Sequence, residues 1–527
     1  MVEKPLGVQI SHFLKSRGVD VIFGIPGVHN QELYRGIEEA GIVHVLARHE
    51  QGAGFMADGY ARATGKPGVA YVITGPGLCN ILTPLGQAYS DSVPVLTISS
   101  CLDEVAARRG QLHQMLDQEG AGASVCEWSQ TAWTPEAAYG LLDRAFAEFE
   151  TKRKRPKHIQ VPISALEGRA PEYPERHKVS SSKPSVGQNL APVISMLETA
   201  TKPLLILGGG AAGAELSSFL SQCNIAVMST FAGRGIVLAD YPLFMGSPLT
   251  RPESVTAIAQ ADLVIAVGTE LAEVDLWRAK LGHTAPLIRV DIDPEVLSDQ
   301  QNADVKLCMD AALFFEALEQ DAERLPKSTG WSEKDIKELR ALWRSGVDAE
   351  FPNVLPVVEA LRQAMPQETM IYSDMTQFAY LAKEVWDMPR PNHWHHPSGF
   401  GTLGYALPAA IGGAVVRPGL PTVAIAGDYG FQYTLPELGT AVELGLSLPI
   451  FVWDNQKLKA IEDSMIGAQI APNAVQCVNP DFLSLARAYG AHAARPNSLS
   501  EVQDCLNEAL AADRPTVIHL SAERLSV

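Results

Sequence analysis

Two polar residues near the C-terminal end of the chain are suited to bind a divalent metal ion. Asp428 follows the apolar run 422–426, and Asn455 follows a second apolar run, 449–453. We interpret the runs as parallel strands of one strand-helix-strand unit, so both polar side chains should emerge at the carboxyl edge of the sheet. Together with the main-chain carbonyl of Lys457 they could hold Mg2+ and leave positions open for phosphate oxygens.

Apolar runs and helical patterns alternate along the whole chain, which predicts an α/β protein with three doubly wound parallel-sheet domains. We place the N-terminal domain at 1–166, the central domain at 190–325 and the C-terminal domain at 351–527. The stretch 167–189 is rich in Ser, Pro and charge, and it predicts a linker.

The N-terminal domain contains five strand-like runs, at 21–23, 43–47, 69–74, 93–99 and 158–163. In the C-terminal domain, Thr434 and Glu437 have the spacing of a capping box, which predicts that a helix begins at 435 and continues to 446.

Composition narrows the class of protein. The 527 residues are 46% apolar and carry a net charge of −18, which argues against a nucleic-acid partner. The seven Cys contain no Cys-x-x-Cys pair, so we expect neither a disulfide framework nor a zinc site. We expect a cytoplasmic location. No apolar run approaches the ~20 residues that a bilayer span requires, so no membrane partner is expected.

The C-terminal pair belongs to a longer pattern, Gly427-Asp428-Tyr429-Gly430 followed by Asp454-Asn455. It resembles the diphosphate-binding motif of thiamine diphosphate (ThDP) enzymes, which runs Gly-Asp-Gly and then, after a gap of this length, Asn-Asn. This chain has Tyr429 in place of the second Gly and Asp454 in place of the first Asn. Gly430 could supply the flexible backbone instead. The resemblance implies that Asp428, Asn455 and the Lys457 carbonyl bind Mg2+.

A second segment, 47–65, resembles the cofactor-activating region of acetolactate synthase and its relatives. In that family a Glu beside N1′ of the aminopyrimidine favours the imino tautomer, whose N4′ removes the proton from thiazolium C2. Glu50 is the candidate for this role. The alternative is a Glu at a helix start that is stabilised by the helix dipole.

A third segment, 399–412, resembles the family's loop and helix beneath the thiazolium ring. Its glycines would allow the Gly401 carbonyl to approach the N4′ amino group, and Leu403 would hold the two cofactor rings bent. The resemblance therefore implies one set of cofactor contacts, namely Glu50, Thr74, Gln377, Gly401, Leu403, Gly427, Asp428, Tyr429, Gly430, Asn455 and Lys457.

The resemblance also implies residues for the chemical step. His29 and His113 fall where relatives line the substrate cavity, and a near-neutral pKa suits acid–base work. Gln114 aligns with a synthase residue at the same cavity. Either His could instead be a packed, hydrogen-bonded core residue.

The implied activity is ThDP- and Mg2+-dependent, non-oxidative decarboxylation of a 2-oxo acid to an aldehyde and CO2. Residues 427–432 and 112–118 look most similar to 5-guanidino-2-oxopentanoate decarboxylases. A guanidinium tail needs a carboxylate partner, and Glu462 and Asp463 are the candidates. Both could equally belong to a solvated helix face.

Three alternatives stay open: an acetolactate-synthase-type carboligase, a flavin oxidase, and a paralogue that binds no cofactor. The central domain carries Gly208-x-Gly210-x-x-Gly213 after an apolar run, but the next run ends without the acid expected for ribose binding. The chain also lacks the Arg-Phe-Asp-Asp-Arg pattern that synthases place near flavin, so FAD is not expected. The family further implies a homodimer or homotetramer with active sites between subunits.

Overall fold

The computed structural model describes residues 3–104, 109–173, 189–325, 330–521 and 523–525. The described residues form two compact units. The first unit draws on 1–181, 369–376 and 396–525, and the second on 182–368 and 377–395.

The N-terminal part of the first unit is built on six strands, all paired in parallel. In sheet order they are Val43–Leu46, Val21–Gly24, Gly68–Val72, Val95–Cys101, Lys157–Pro162 and Trp128–Thr131. The helices around them are Leu6–Ser16, Gln31–Glu39, Glu50–Thr64, Pro76–Ser90, Gln118–Ala123, Pro135–Thr151 and Ile163–Glu167. A small antiparallel pair joins Lys4–Pro5 to Arg169–Ala170.

Both faces of this sheet are covered. Ala70 and Val72 belong to one hydrophobic cluster, whereas Val69 and Tyr71 belong to another. Because alternate residues of a strand point to opposite faces, burial of all four explains why the run is continuously apolar.

The C-terminal part of the first unit contains five strands that also pair in parallel. In order they are Met370–Ser373, Thr422–Gly427, Pro449–Trp453, Thr516–Leu520 and His492–Ala494. Its helices are Ala406–Val415, Asp428–Tyr433, Glu437–Glu443, Lys459–Gly467, Phe482–Ala488 and Leu499–Leu510.

The second unit has a five-stranded parallel sheet of its own. In order its strands are Ala226–Ser229, Pro203–Leu207, Leu263–Val267, Leu287–Asp291 and Val305–Cys308. The unit also contains the short strand Trp394–His395, which is not part of this sheet. The α-helices are Ala191–Thr199, Ser217–Cys223, Ser254–Ala259, Glu273–Leu276, Ala311–Gln320, Glu333–Glu350, Leu355–Ala364 and Gln377–Val385, and the short 3-10 helices are Gly209–Ala211, Val296–Ser298 and Ala322–Arg324.

The predicted fold class, three parallel α/β sheets, is confirmed. The domain boundaries stay predictions, and part of the predicted linker, 174–188, lies outside the described residues. Among the residues that the structure describes, none of the helices combines the length and the apolar character needed to span a bilayer.

The glycine-rich turn of the central sheet packs against a neighbouring turn. The Gly210 amide donates to the Gly268 carbonyl at 3.0 Å, and the Gly208 amide donates to the Val267 carbonyl at 2.9 Å. A Cβ at Gly210 would lie 2.9 Å from the Gly268 Cα, so this glycine is needed for the close backbone approach.

The predicted capping box is wrong. The helix Glu437–Glu443 begins after Pro436, without a side-chain cap. Thr434 Oγ1 donates instead to the Gly404 carbonyl at 2.8 Å. Both side chains of the pattern contact distant parts of the chain, and these tertiary contacts replace the local one.

Two helices of the first unit cross at very short range. The helix Glu50–Thr64 packs on the helix Ala406–Val415. A Cβ at Gly59 would overlap the Ala409 carbonyl, and a Cβ at Gly412 would overlap the Met56 carbonyl. Glycine is therefore required on both helices by space, not by backbone conformation.

We expect Gly412→Ala to lower the free energy of unfolding by about 1–3 kcal/mol, because the new methyl group forces the helices apart. Gly140 is a matched control, since it lies inside the helix Pro135–Thr151 with open space around its Cα. Gly140→Ala should raise the stability by up to about 1 kcal/mol. Thermal unfolding measures both variants, and equal midpoints would contradict the packing argument.

Candidate active site

The strand pairing brings the predicted metal-binding residues to one edge of the C-terminal sheet. Gly427 is in register with Trp453 on the adjacent parallel strand, so Asp428 and Asp454 follow neighbouring strand ends. Asp428 also begins a helix, Asp428–Tyr433. Its Oδ2 accepts hydrogen bonds from the Gln456 amide at 2.9 Å and from Asn479 Nδ2 at 2.6 Å.

Asp428 is buried among neutral donors and beside a second carboxylate. Burial, with a contribution from Asp454, raises the pKa of Asp428 to about 6. Burial also opposes ionisation of Asp454, yet hydrogen bonds from His519 and Asn479 hold its pKa below the ordinary value. A divalent cation would compensate the two carboxylates, so this donor set fits Mg2+.

The turn after Asp454 contains Asn455 and Lys457, the other two predicted metal-binding residues. Gln456 has φ 57°, a left-handed conformation that turns the backbone sharply. The Lys457 amide donates to Asn455 Oδ1 at 3.2 Å. This conformation aims the Gln456 amide at Asp428 and Asp454 and places Asn455 and the Lys457 backbone in the same turn.

Gly430 has a different role from the predicted one. It lies within the helix Asp428–Tyr433, and its φ is not positive, so flexibility is not what the position requires. A Cβ there would lie 2.7 Å from Asp374 Oδ2. That carboxylate accepts from the Met375 and Gly404 amides at 2.8 Å each, and burial raises the pKa of Asp374 to about 7.

The predicted cofactor contacts also include Tyr429, Gly401 and Leu403. The Tyr429 ring packs edge-on against Tyr433 with centroids 5.6 Å apart. Gly401 is exposed and has φ 66°, which favours glycine, and Leu403 is half-buried.

The loop that contains Gly401 is held by the N-terminal part of the same unit. Asp91 Oδ1 accepts from the Gly399 amide at 2.8 Å, and Thr402 Oγ1 donates to Gln87 Oε1 at 3.0 Å. These bonds fix the loop at both sides of Gly401.

Glu50 is a buried carboxylate at the start of the helix Glu50–Thr64, with only 8% of its surface exposed. Its Oε2 accepts from Asn80 Nδ2 at 2.9 Å. The preceding amides of Arg48 and His49 donate to the Glu437 carboxylate at 3.0 Å each. Burial raises the pKa of Glu437 to about 7. The helix start is thus fixed, which orients Glu50.

Thr74 lies in a buried hydrogen-bonded turn. Its Oγ1 donates to Ser100 Oγ at 2.7 Å. The next residue, Gly75, has φ 70°, and its amide donates to Gln118 Oε1 at 2.9 Å. This turn begins the helix Pro76–Ser90, which carries Asn80 to Glu50.

His29 and His113 are brought together, with ring centroids 4.9 Å apart and planes at 70°. Burial, with a contribution from His113, lowers the pKa of His29. In the described part of the chain, neither Nδ1 has a hydrogen-bond partner although both atoms are buried. Gln114 follows His113 in the sequence, and its Oε1 accepts a hydrogen bond from the Gln111 amide at 3.3 Å.

The two carboxylates predicted to contact the substrate, Glu462 and Asp463, differ in their exposure. Glu462 Oε2 accepts from Lys457 Nζ at 3.0 Å, and its side chain is 13% exposed. Asp463 pairs with Lys459 on the helix surface and is 56% exposed. Gln377 begins the helix Gln377–Val385 of the second unit, and its predicted cofactor contact stays a prediction.

Several residues that contact these candidates are not marked by any motif in the sequence. Asn80 and Asn479 hold the Glu50 and Asp428 carboxylates, and His519 holds Asp454. Asn479 and His519 lie far along the chain from the carboxylates that they contact, so no local spacing marks them. Asn80 lies one helical turn after Gly75-Pro76-Gly77, a turn signal that could have indicated it.

Three family profiles match the chain. The thiamine pyrophosphate enzyme N-terminal TPP binding domain covers residues 6–121, the central domain covers 190–318, and the C-terminal TPP binding domain covers 374–520.

Individual relatives are similar over nearly the full length. A probable 2-ketoarginine decarboxylase of Pseudomonas aeruginosa is 40% identical over 98% of this chain and 93% of its own. The acetolactate synthase isozyme 2 large subunit of Escherichia coli is 30% identical over 98% of this chain and 95% of its own. A probable acetolactate synthase large subunit of Methanococcus aeolicus is 27% identical over 97% and 90%.

Proposed function

Since this chain belongs to the thiamine pyrophosphate enzyme family, we propose that it decarboxylates a 2-oxo acid to an aldehyde and CO2, with ThDP and Mg2+ as cofactors. The observation that carries the proposal is that Asp428 and Asp454-Asn455 follow adjacent parallel strands, where the Gln456 amide donates to both carboxylates. The relative named as a probable 2-ketoarginine decarboxylase supports 5-guanidino-2-oxopentanoate as the substrate.

Each part of the site has a defined task in this proposal. When bound, ThDP supplies a thiazolium ring that accepts the electron pair released as CO2 leaves. Asp428, Asn455 and the Lys457 carbonyl would hold Mg2+ and, through it, the diphosphate end of the cofactor. Glu50 would hydrogen-bond N1′ of the aminopyrimidine, and Asn80 orients the Glu50 carboxylate.

The histidine pair handles protons. Burial, with a contribution from His113, lowers the pKa of His29, which favours the neutral imidazole, and the His113 ring lies against it. With both Nδ1 atoms buried and without a partner in the described residues, either can hydrogen-bond the substrate carboxylate. We propose that this pair takes up a proton from water and passes it to the substrate carbon, where it replaces CO2.

The function is tested by measuring CO2 release from basic, aromatic and short aliphatic 2-oxo acids. We expect kcat/KM to be highest for 5-guanidino-2-oxopentanoate. Absence of CO2 release from every member of the panel would contradict the assigned reaction.

We expect Glu462→Gln to raise KM for the guanidino substrate by about 10-fold or more, because a charge-assisted bidentate bond is lost. KM for a short aliphatic 2-oxo acid should stay within about twofold. Asp463→Asn is the matched control, since that side chain is exposed and pairs with Lys459. Equal effects of Glu462→Gln on both substrates would exclude the guanidinium contact.

A carboligase is the second candidate, because two of the relatives above are named acetolactate synthases or probable ones. The two reactions differ in their products. With pyruvate alone, a carboligase releases a 2-hydroxy acid that also carries a ketone group, whereas a decarboxylase releases an aldehyde. Product analysis by mass spectrometry therefore separates them.

We also propose that the active enzyme is at least a dimer. Leu116 and Val478 are fully exposed, and the helix Lys459–Gly467 has no buried residue although it contains Ile461 and Ile466. Such apolar surface favours association with a second copy. Light scattering of the active enzyme should give a dimer or tetramer mass, and an active monomer would contradict the proposal.

A further inference from the structure

Four neighbouring strands of the C-terminal sheet have an ionisable side chain at or next to their carboxyl ends. Asp428 and Asp454 follow the strands Thr422–Gly427 and Pro449–Trp453. His519 lies in the next strand, in register with Val452. Arg495 follows the outer strand, His492–Ala494. The sheet therefore aligns the four side chains along its carboxyl edge.

The direction of the hydrogen bonds in this row is fixed at Arg495. Its Nε lies 3.0 Å from His519 Nδ1, and a guanidinium nitrogen can only donate. His519 Nδ1 must accept, so the imidazole is neutral and carries its hydrogen on Nε2. That Nε2 donates to Asp454 Oδ2 at 2.7 Å.

Three donors then point at the Asp454 carboxylate, which also lies beside the Asp428 carboxylate. Oδ1 accepts from Asn479 Nδ2 at 2.9 Å and from the Gln456 amide at 3.1 Å, and Oδ2 accepts from His519. An amide side chain at this position would direct its own N–H at one of these donors. The row therefore requires a carboxylate at 454, where the related motif has Asn.

Asp454 shares two of its donors with the proposed metal ligand. Asn479 Nδ2 and the Gln456 amide also donate to Asp428 Oδ2, at 2.6 and 2.9 Å. A change at Asp454 would move these donors and with them the Asp428 carboxylate.

We propose that Arg495 and His519 are positioning residues, which keep Asp454 as an all-acceptor carboxylate so that Gln456 and Asn479 hold Asp428 in place for Mg2+. The inference rests on the proposed Mg2+ site. It assigns a role to two residues outside the cofactor motif, and it explains why this chain departs from the motif at Asp454.

The test is a double-mutant cycle with Asp454→Asn and Arg495→Gln. Mg2+ is titrated by calorimetry into the full-length protein saturated with ThDP. Asp454→Asn should weaken Mg2+ binding by about 10- to 100-fold, as expected when a group that orients a ligand is lost. Arg495→Gln alone should weaken Mg2+ binding less than Asp454→Asn does, because the new amide can still donate to His519 Nδ1.

The double variant should recover most of the lost affinity. The amide at 495 can turn its oxygen towards Nδ1, so His519 can carry its hydrogen there and accept from the new amide at 454 through Nε2. A role limited to general stability would instead give additive losses. A double variant no better than Asp454→Asn would overturn the inference.

Nitrogen-15 NMR of the histidines gives a readout without cofactor. Wild type should show His519, assigned through His519→Gln, as the Nε2–H tautomer, and the double variant should show Nδ1–H. The Nδ1–H tautomer in the wild type would overturn the inference. Normal Mg2+ binding by Asp454→Asn would overturn this positioning role alone, whereas no ThDP-dependent Mg2+ binding by wild type would overturn the proposed function as well.

Discussion

Glu50→Gln is expected to lower kcat for CO2 release by about 10²- to 10⁴-fold, the range typical of a lost acid–base group. The amide oxygen of Gln can still accept from Asn80, so the local fold should persist. The amide cannot share a hydrogen with N1′ of the aminopyrimidine as a carboxylate does. Binding of ThDP and Mg2+, measured by calorimetry, should stay within about threefold of wild type, because the diphosphate end is untouched.

Glu136→Gln is the matched control for this result. Glu136 also lies in the first turn of a helix, Pro135–Thr151, but its side chain is exposed. It should leave kcat unchanged. If Glu50→Gln turned over at the wild-type rate, the activating role would belong to another group.

Asp428→Asn should weaken Mg2+ binding by more than about 100-fold, beyond the effect of losing a residue that only orients a ligand. The change removes the only carboxylate among the three proposed ligands. An amide would also have to turn its oxygen towards Gln456 and Asn479, which leaves its N–H facing the cation. Turnover should fall with the metal, and a large excess of Mg2+ should restore part of it.

The control for this variant is Asp463→Asn, which removes an exposed carboxylate on a nearby helix with the same change in net charge. Its Mg2+ affinity should match wild type. A normal Mg2+ titration curve for Asp428→Asn would show that the cation binds elsewhere.

The sequence predicted the parts of the site that depend on neighbouring residues. The parallel pairing that brings Asp428 beside Asp454 follows from two apolar runs and one helix, and the structure has it. The segment around Glu50 marked this residue as a candidate, and Glu50 begins the helix Glu50–Thr64.

The contacts that the sequence did not predict join residues far apart in the chain. Thr434 and Glu437 have capping-box spacing, yet they contact Gly404 and the amides of Arg48 and His49. Gly430 suggested a flexible turn, whereas its small size makes room for Asp374. Spacing rules describe one element at a time, so they cannot indicate partners that the sheet brings together.

The glycine crossing of the helices Glu50–Thr64 and Ala406–Val415 limits how the chain can be recombined. Gly59 faces the backbone of the second helix, and Gly412 faces the backbone of the first. A chimaera that takes its N-terminal half from this protein must also receive a C-terminal half with an equally small residue at the crossing. We therefore expect relatives to exchange this gene as a whole and not one half of it alone.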